Sequence, residues 1–392
     1  MTSPPSGAPP VPTADAGDLC ARDGLLAHGK IRTLVARGLI APARPIEAAQ
    51  YQPASLDLRL GPEAYRVRAS FLPGRGRTVI AHLATLNAEP ISLADEGAVL
   101  EKGIVYIAPL LERLALPGGV SGAANPKSST GRLDIFTRLI VDGSEAFDHV
   151  PAGYRGPLYV EISPRSFSVR VREGSKLNQI RFRVRDAGRR GGGDLALSDR
   201  AIRARHARTP LVDGPLDLRD GLIMRVALHG PAGAIIGYRA QKNSDIIDVD
   251  RPGHYAAREF WEPLRARPDN RLILDPDEFY ILASREKMQI PSDLAAEMAP
   301  IDPAIGEFRV HYAGFFDPGF GQGPDGRPGA RAVLEVRSRD VPFLLEDGQP
   351  VGRLVYETLA EAADELYGAT AVSNYQGQGL KLSKHFRDFE AG

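Results

Sequence analysis

Cysteine is almost missing: Cys20 is the one thiol among 392 residues. A lone thiol excludes an intramolecular disulfide and any zinc site built on several cysteines. No zinc is expected, and a reducing, cytoplasmic compartment is. Excess charge is missing as well, with 49 Lys and Arg against 49 Asp and Glu. Without a global field, neither nucleic acid nor an anionic membrane is an expected partner, and any polyanion must be met by a local cluster. No run of 18 apolar residues occurs, so no membrane-spanning helix is expected. The opening MTSPPSGAPPVPTADAGD holds five prolines within twelve positions, and neither a basic start nor an apolar core. Residues 1–20 therefore read as a flexible tail rather than a signal peptide.

Helix signals are scarce too. Apolar spacing over residues 23–40 (Leu26, Ile31, Leu34, Val35) predicts one short helix ended by Gly38. Beyond it, runs such as SLDLRLG, GIVYIAPL, GPLYVEI and FSVRVREG alternate with turn residues, and 41 Gly and 32 Pro punctuate the chain. That pattern predicts an all-β sandwich or barrel. DAGRRGGGD at 186–194 reads as a flexible connection and residues 195–208 as a helical linker. The expected division is a first β domain over 21–190, a linker over 191–214, and a second β domain over 215–392 ending in a closing tail.

The two halves read as distant copies. Residues 160–182 lie on 334–356 without a gap, placing Glu161 on Glu335, Arg165 on Arg339 and Gly174 on Gly348.

Four constellations carry chemistry. Lys127-Ser128-Ser129-Thr130-Gly131-Arg132 collects hydroxyls, backbone N–H groups and cations in one turn, as phosphate oxygens require; the bland alternative is a polar loop. Glu161 and Glu335 each sit in an apolar strand. Either they face solvent, as alternation allows, or they are buried and tuned as general bases. Phe316-Asp317-Pro318-Gly319 is a turn whose Asp could accept from a ribose hydroxyl or a base N–H. The tail Asn374-Tyr375-Gln376-Gly377-Gln378-Gly379 could close over a ligand or simply fray.

Taken in order, these motifs resemble the dCTP deaminases, relatives of the trimeric dUTPases. The resemblance rests on Gln52 to Gly61 (QPASLDLRLG), Lys127-Ser128-Ser129-x-x-Arg132 with Lys in place of the family's first Arg, Asp317-Pro318-Gly319, Val333-Leu334-Glu335, and Tyr375 to Gln378. It implies two tandem dUTPase-like distorted β-barrel or jelly-roll domains with a few short helices. It also implies hydrolytic deamination of dCTP to dUTP and ammonia, serving deoxypyrimidine synthesis. Glu335 or Glu161 would be the catalytic base, with Glu335 preferred because Asp317 lies in the same repeat. Lys127, Ser128, Ser129 and Arg132 would hold phosphates. Asp317, Tyr367, Asn374 and Gln378 would hold sugar and base. Mg²⁺ would arrive on the triphosphate. The family also implies a homo-oligomer with trimer-like packing of β domains.

The departures matter. The first copy has Pro151-Ala152-Gly153 where the family has Asp-Pro-Gly, and the second has Pro300-Ile301-Asp302-Pro303 where the phosphate motif belongs. Complementary halves are therefore expected: phosphates on the first, sugar and base on the second. Asn374 replaces a family Lys, and Lys381 and Lys384 are possible substitutes. Two rival readings stay open: a dUTP pyrophosphatase, alone or combined with deamination, and a nucleotide-binding protein without activity.

Overall fold

The computed structural model describes residues 19, 22–185, 195–301, 308–311, 314–323, 325–338, 340–368 and 377–389. The expected tail over 1–18, the connection at 186–194, and Asn374 with its neighbours Tyr375 and Gln376 lie outside the described residues.

Strands dominate, with four short α-helices among the described residues: His28–Ala36, Val79–Thr85, Ser128–Gly131 and Asp199–His206. The first buries His28, Ile31 and Leu34 and stops before Gly38, whose φ of +70° an L side chain would resist. In the predicted helical linker, the Ser198 side chain caps Asp199–His206 by accepting from the Ala201 N–H at 3.3 Å. Val79–Thr85 was not foreseen, because two buried residues, Val79 and Leu83, are too few to establish a period.

Each half stacks two sheets. In the first, Asn178–Val184 pairs with Val120–Pro126, Gly24–Leu25 and Leu56–Leu58, while Arg155–Pro164 lies between Val105–Ala115 and Ile135–Val141. In the second, Pro350–Thr358 lies between Leu222–Arg225 and Leu294–Ala299, and Ala330–Ser338 between Tyr280–Met288 and Phe308–His311. The registers repeat. Glu161 faces Ile107 and Arg138; Glu335 faces Ile281 and His311. Likewise Ile180 faces Ala124, and Leu354 faces Met298. The gapless overlay of the sequences is thus an overlay of strand positions.

The halves interlock. Val169–Val171 of the first half accepts Ile247–Asp248 of the second as a parallel neighbour. Arg172 clamps Asp248 there through bonds of 2.8 and 2.6 Å. One apolar cluster runs from Leu56, Leu110 and Phe182 into Trp261, Phe279 and Phe386. Among the described residues, no helix is long and apolar enough to cross a membrane.

Candidate functional site

Strand Val120–Pro126 ends at a proline, which has no N–H to extend the ladder. The chain turns there into Ser128–Gly131, with the Thr130 and Gly131 N–H groups donating to the Lys127 carbonyl at 2.8 and 3.0 Å. This turn forms one wall of a crevice. The opposite wall belongs to the second half: Phe315, Asp317, Val333, Glu335 and Tyr367. Gln378, from the tail, completes the enclosure.

Two compartments meet at Lys127, Ser128, Phe315, Asp317 and Tyr367. The inner one, which contains Glu335, encloses about 50 Å³, room for one or two waters and no ring. The outer one encloses about 270 Å³ and is basic at its rim, where Lys127, Lys176 and Lys384 gather with Ser128 and Ser129. Its carboxylates are already engaged. Asp57 is ion-paired with Lys127, and Asp250 accepts from Arg172 at 3.2 Å and from the Ser175 hydroxyl at 2.6 Å. Burial, reinforced by the Lys127 charge, lowers the Lys384 pKa.

Glu335 is 6% exposed and its carboxyl is pushed up to about 8. Burial is the main cause, Arg132 pulls the other way, and Asp134 adds a smaller upward push. Arg132 Nε lies 4.0 Å from Glu335 Oε1. Arg132 also donates to Gln378 Oε1 at 3.0 Å and to the Lys381 carbonyl at 3.1 Å. It was expected among the phosphate contacts, yet it does not line the basic compartment; its buried guanidinium turns inward and ties the tail to the acid.

Asp317 is held by Arg181, which reaches across from the first half and donates to Asp317 Oδ1, the Phe316 carbonyl and the Ala296 carbonyl, each at 2.9 Å. Burial raises the Asp317 pKa against the pull of Arg181. Gly319, at φ +89°, lets residues 366–367 pass so closely that an added Cβ would lie 2.8 Å from Leu366 Cβ. Tyr367 is seated there, its N–H on the Pro318 carbonyl at 2.8 Å and its ring 5.5 Å from Phe320.

The two glutamates part company. Glu161 is also buried, at 1% exposure, but lies outside the crevice, with Arg138 donating to its Oε1 at 2.6 and 3.0 Å. The solvent-facing alternative therefore fails for both acids. Of the other expected residues, Lys127, Ser128, Asp317, Tyr367 and Gln378 meet in the crevice, and Ser129 lines the outer compartment. Lys384 is at the rim and Lys381 contributes a carbonyl to Arg132. Sequence reasoning missed Asp57, Lys176 and Arg181. The available signal was Asp57 itself, a carboxylate between the buried Leu56 and Leu58.

Comparison with known proteins follows this geometry. Two family models match, described as the N-terminal and C-terminal domains of 2'-deoxycytidine 5'-triphosphate deaminase, over residues 22–187 and 198–386. A Rhodococcus opacus (strain B4) protein named "dCTP deaminase, dUMP-forming" is 28% identical over 201 residues, 50% of this chain and 98% of its own. One of the same name from Beutenbergia cavernae is 31% identical over 190 residues, 47% of this chain and 91% of its own. A crystal structure titled 2'-deoxycytidine 5'-triphosphate deaminase, from Agrobacterium tumefaciens, is 52% identical and superposes with a TM-score of 0.81, covering 86% of this chain and 99% of that one.

Proposed function

The chain belongs to the 2'-deoxycytidine 5'-triphosphate deaminase family, and from that premise we propose that it is a zinc-independent hydrolase in which Glu335 carries the proton. One observation carries the reading: the phosphate turn of the first half and the buried Glu335 of the second line one crevice, with Arg132 4.0 Å from the acid.

The triphosphate lies in the outer compartment against Lys127, Ser128 and Ser129, with Lys176 and Lys384 at the rim. Asp317 and Tyr367 take the sugar and base, and Gln378 closes over them. Ionised Glu335 removes a proton from water as its oxygen attacks C4 of cytosine. The acid then returns that proton to the ring or the amino group, the C4–N4 bond breaks, and ammonia leaves. Water and dCTP become dUTP and ammonia. Arg132 steadies the carboxylate and locks the tail. Such proton transfer is worth roughly 10²–10⁴-fold in rate, and phosphate contacts remote from C4 help fix the ring at the acid.

The donor set fits Mg²⁺ carried on the substrate. Among the described residues no cluster of His, Cys, Asp and Glu could hold a metal ion, and the acids at the phosphate end are ion-paired. The metal, when bound, screens phosphate charge. Cytoplasmic location and a homo-oligomer of trimer-like packing complete the proposal.

A second reading concerns the product. The half-length relatives are named dUMP-forming, which favours further cleavage between the α- and β-phosphates in the same crevice. Incubating the purified protein with dCTP and Mg²⁺, then chromatographing the products, separates the cases: dUTP with ammonia, or dUMP, ammonia and pyrophosphate. Binding of dCTP without ammonia release would refute the enzyme mechanism and leave a binding protein.

A further inference from the structure

A second cavity, of about 460 Å³, opens between the halves away from the crevice. Its floor is the strand pair that carries Glu161. Glu161 Oε1 is occupied by Arg138, but Oε2 is buried and bonds to nothing. Ser163, two residues on and so on the same face of the strand, also has a buried hydroxyl without a partner. Leaving such acceptors dry costs stability, and a ligand that donates N–H groups removes the cost. Val105 and Phe136 add apolar lining beside them. At the mouth, exposed Arg165 stands with Asp277 and Asp340. Arg337 is there as well, but Asp134 already engages it.

We propose that this cavity is a second, non-catalytic nucleotide site that takes a pyrimidine nucleoside monophosphate. The base places its N–H groups on Glu161 Oε2 and Ser163, and the phosphate meets Arg165. One accessible guanidinium between two carboxylates suits a monophosphate and disfavours a triphosphate. Because Arg138 holds Glu161 in an ion pair, the site binds without chemistry. The ligand class rests on the deaminase reading, since Glu161 occupies the register position of Glu335. The cavity and its unpartnered acceptors do not depend on that reading.

The test uses the full chain carrying Glu335→Gln, its crevice filled with excess dCTP, titrated calorimetrically with dUMP. One equivalent per chain is expected, weakened about tenfold or more by Arg165→Glu at the exposed rim and by Ser163→Val on the floor. In the otherwise native chain, Arg165→Glu leaves dCTP turnover unchanged. Absence of dUMP binding, or binding that neither substitution weakens, overturns the proposal. A native chain that neither binds nor turns over dCTP sinks the deaminase reading instead, so the two failures are distinguishable.

Discussion

Glu335 experiences two opposing influences, and their balance makes it a usable base. Desolvation raises its pKa while Arg132 lowers it, and the result, about 8, lies near the range in which a proton carrier works best. In the free enzyme kcat/KM should therefore rise with pH on a limb centred near 8. Glu335→Gln should lower kcat by about 10²–10⁴-fold and abolish that limb. The same shift sets a stability trend. Unfolded, the carboxyl ionises near 4.5; folded, it holds its proton to about 8. Between those values the folded state binds more protons, so stability falls as pH rises. Glu335→Gln removes this loss, so its Tm relative to wild type should climb between pH 5 and 8. A flat difference would contradict the assigned burial. Lys127 answers a different question. Lys127→Ala should raise KM for dCTP far more than it lowers kcat, as steady-state kinetics would show, because its contact is with phosphate and not with C4.

At the scale of elements, the carboxy-terminal tail acts as a strap. The Ser383 hydroxyl donates to the Ser129 carbonyl at 2.8 Å, and His385 is wedged between Ser383 Oγ at 2.9 Å and the Val249 carbonyl at 2.8 Å. Burial lowers the His385 pKa to about 4. The unfolded imidazole protonates near 6.5, so the strap's stability is complete above that pH and is lost as pH falls toward 4. Lys384, Asp248 and Asp250 are the charges facing it, and they act only as smaller corrections. Amide exchange over residues 377–389 should accelerate across that window, and His385→Gln should flatten the dependence. The motif QPASLDLRLG works on the same scale. Its leucines fill the core, while Asp57 engages Lys127 and Arg59 pairs with fully buried Glu112 at 2.8 Å. Glu112→Ala would strand a buried guanidinium and should cost about 3–5 kcal/mol in urea unfolding.

Across the whole molecule, each half supplies what the other lacks. Lys127 and its turn come from the first half, Asp317 and Glu335 from the second, and Arg181 crosses between them. Arg337 of the second half pairs with Asp134 of the first, and Trp261 packs 5.5 Å from Phe167. A core shared in this way predicts one unfolding transition. Fluorescence of the single tryptophan and circular dichroism should give coincident urea curves. Separate midpoints would mean the halves are independent and the crevice weakly held.

Much of this was legible in residue order. Strand content follows from short apolar runs between glycines and prolines, and the repeat follows from the matched spacing around Glu161 and Glu335. The motifs Lys127 to Arg132 and Asp317 to Gly319 mark groups that do meet in the crevice, because residue type and turn chemistry are local. Facing is not local. Arg181 and Arg183 alternate with apolar neighbours as a solvent face would, yet they point into the other half. Arg132 reads as a phosphate ligand and turns toward an acid 203 positions further on. The two glutamates are indistinguishable as strand residues; only the packing gives one a dry pocket beside the phosphate turn and the other an arginine partner. Burial, and with it the proton affinity that makes Glu335 useful, depends on which surfaces the tertiary structure removes from water.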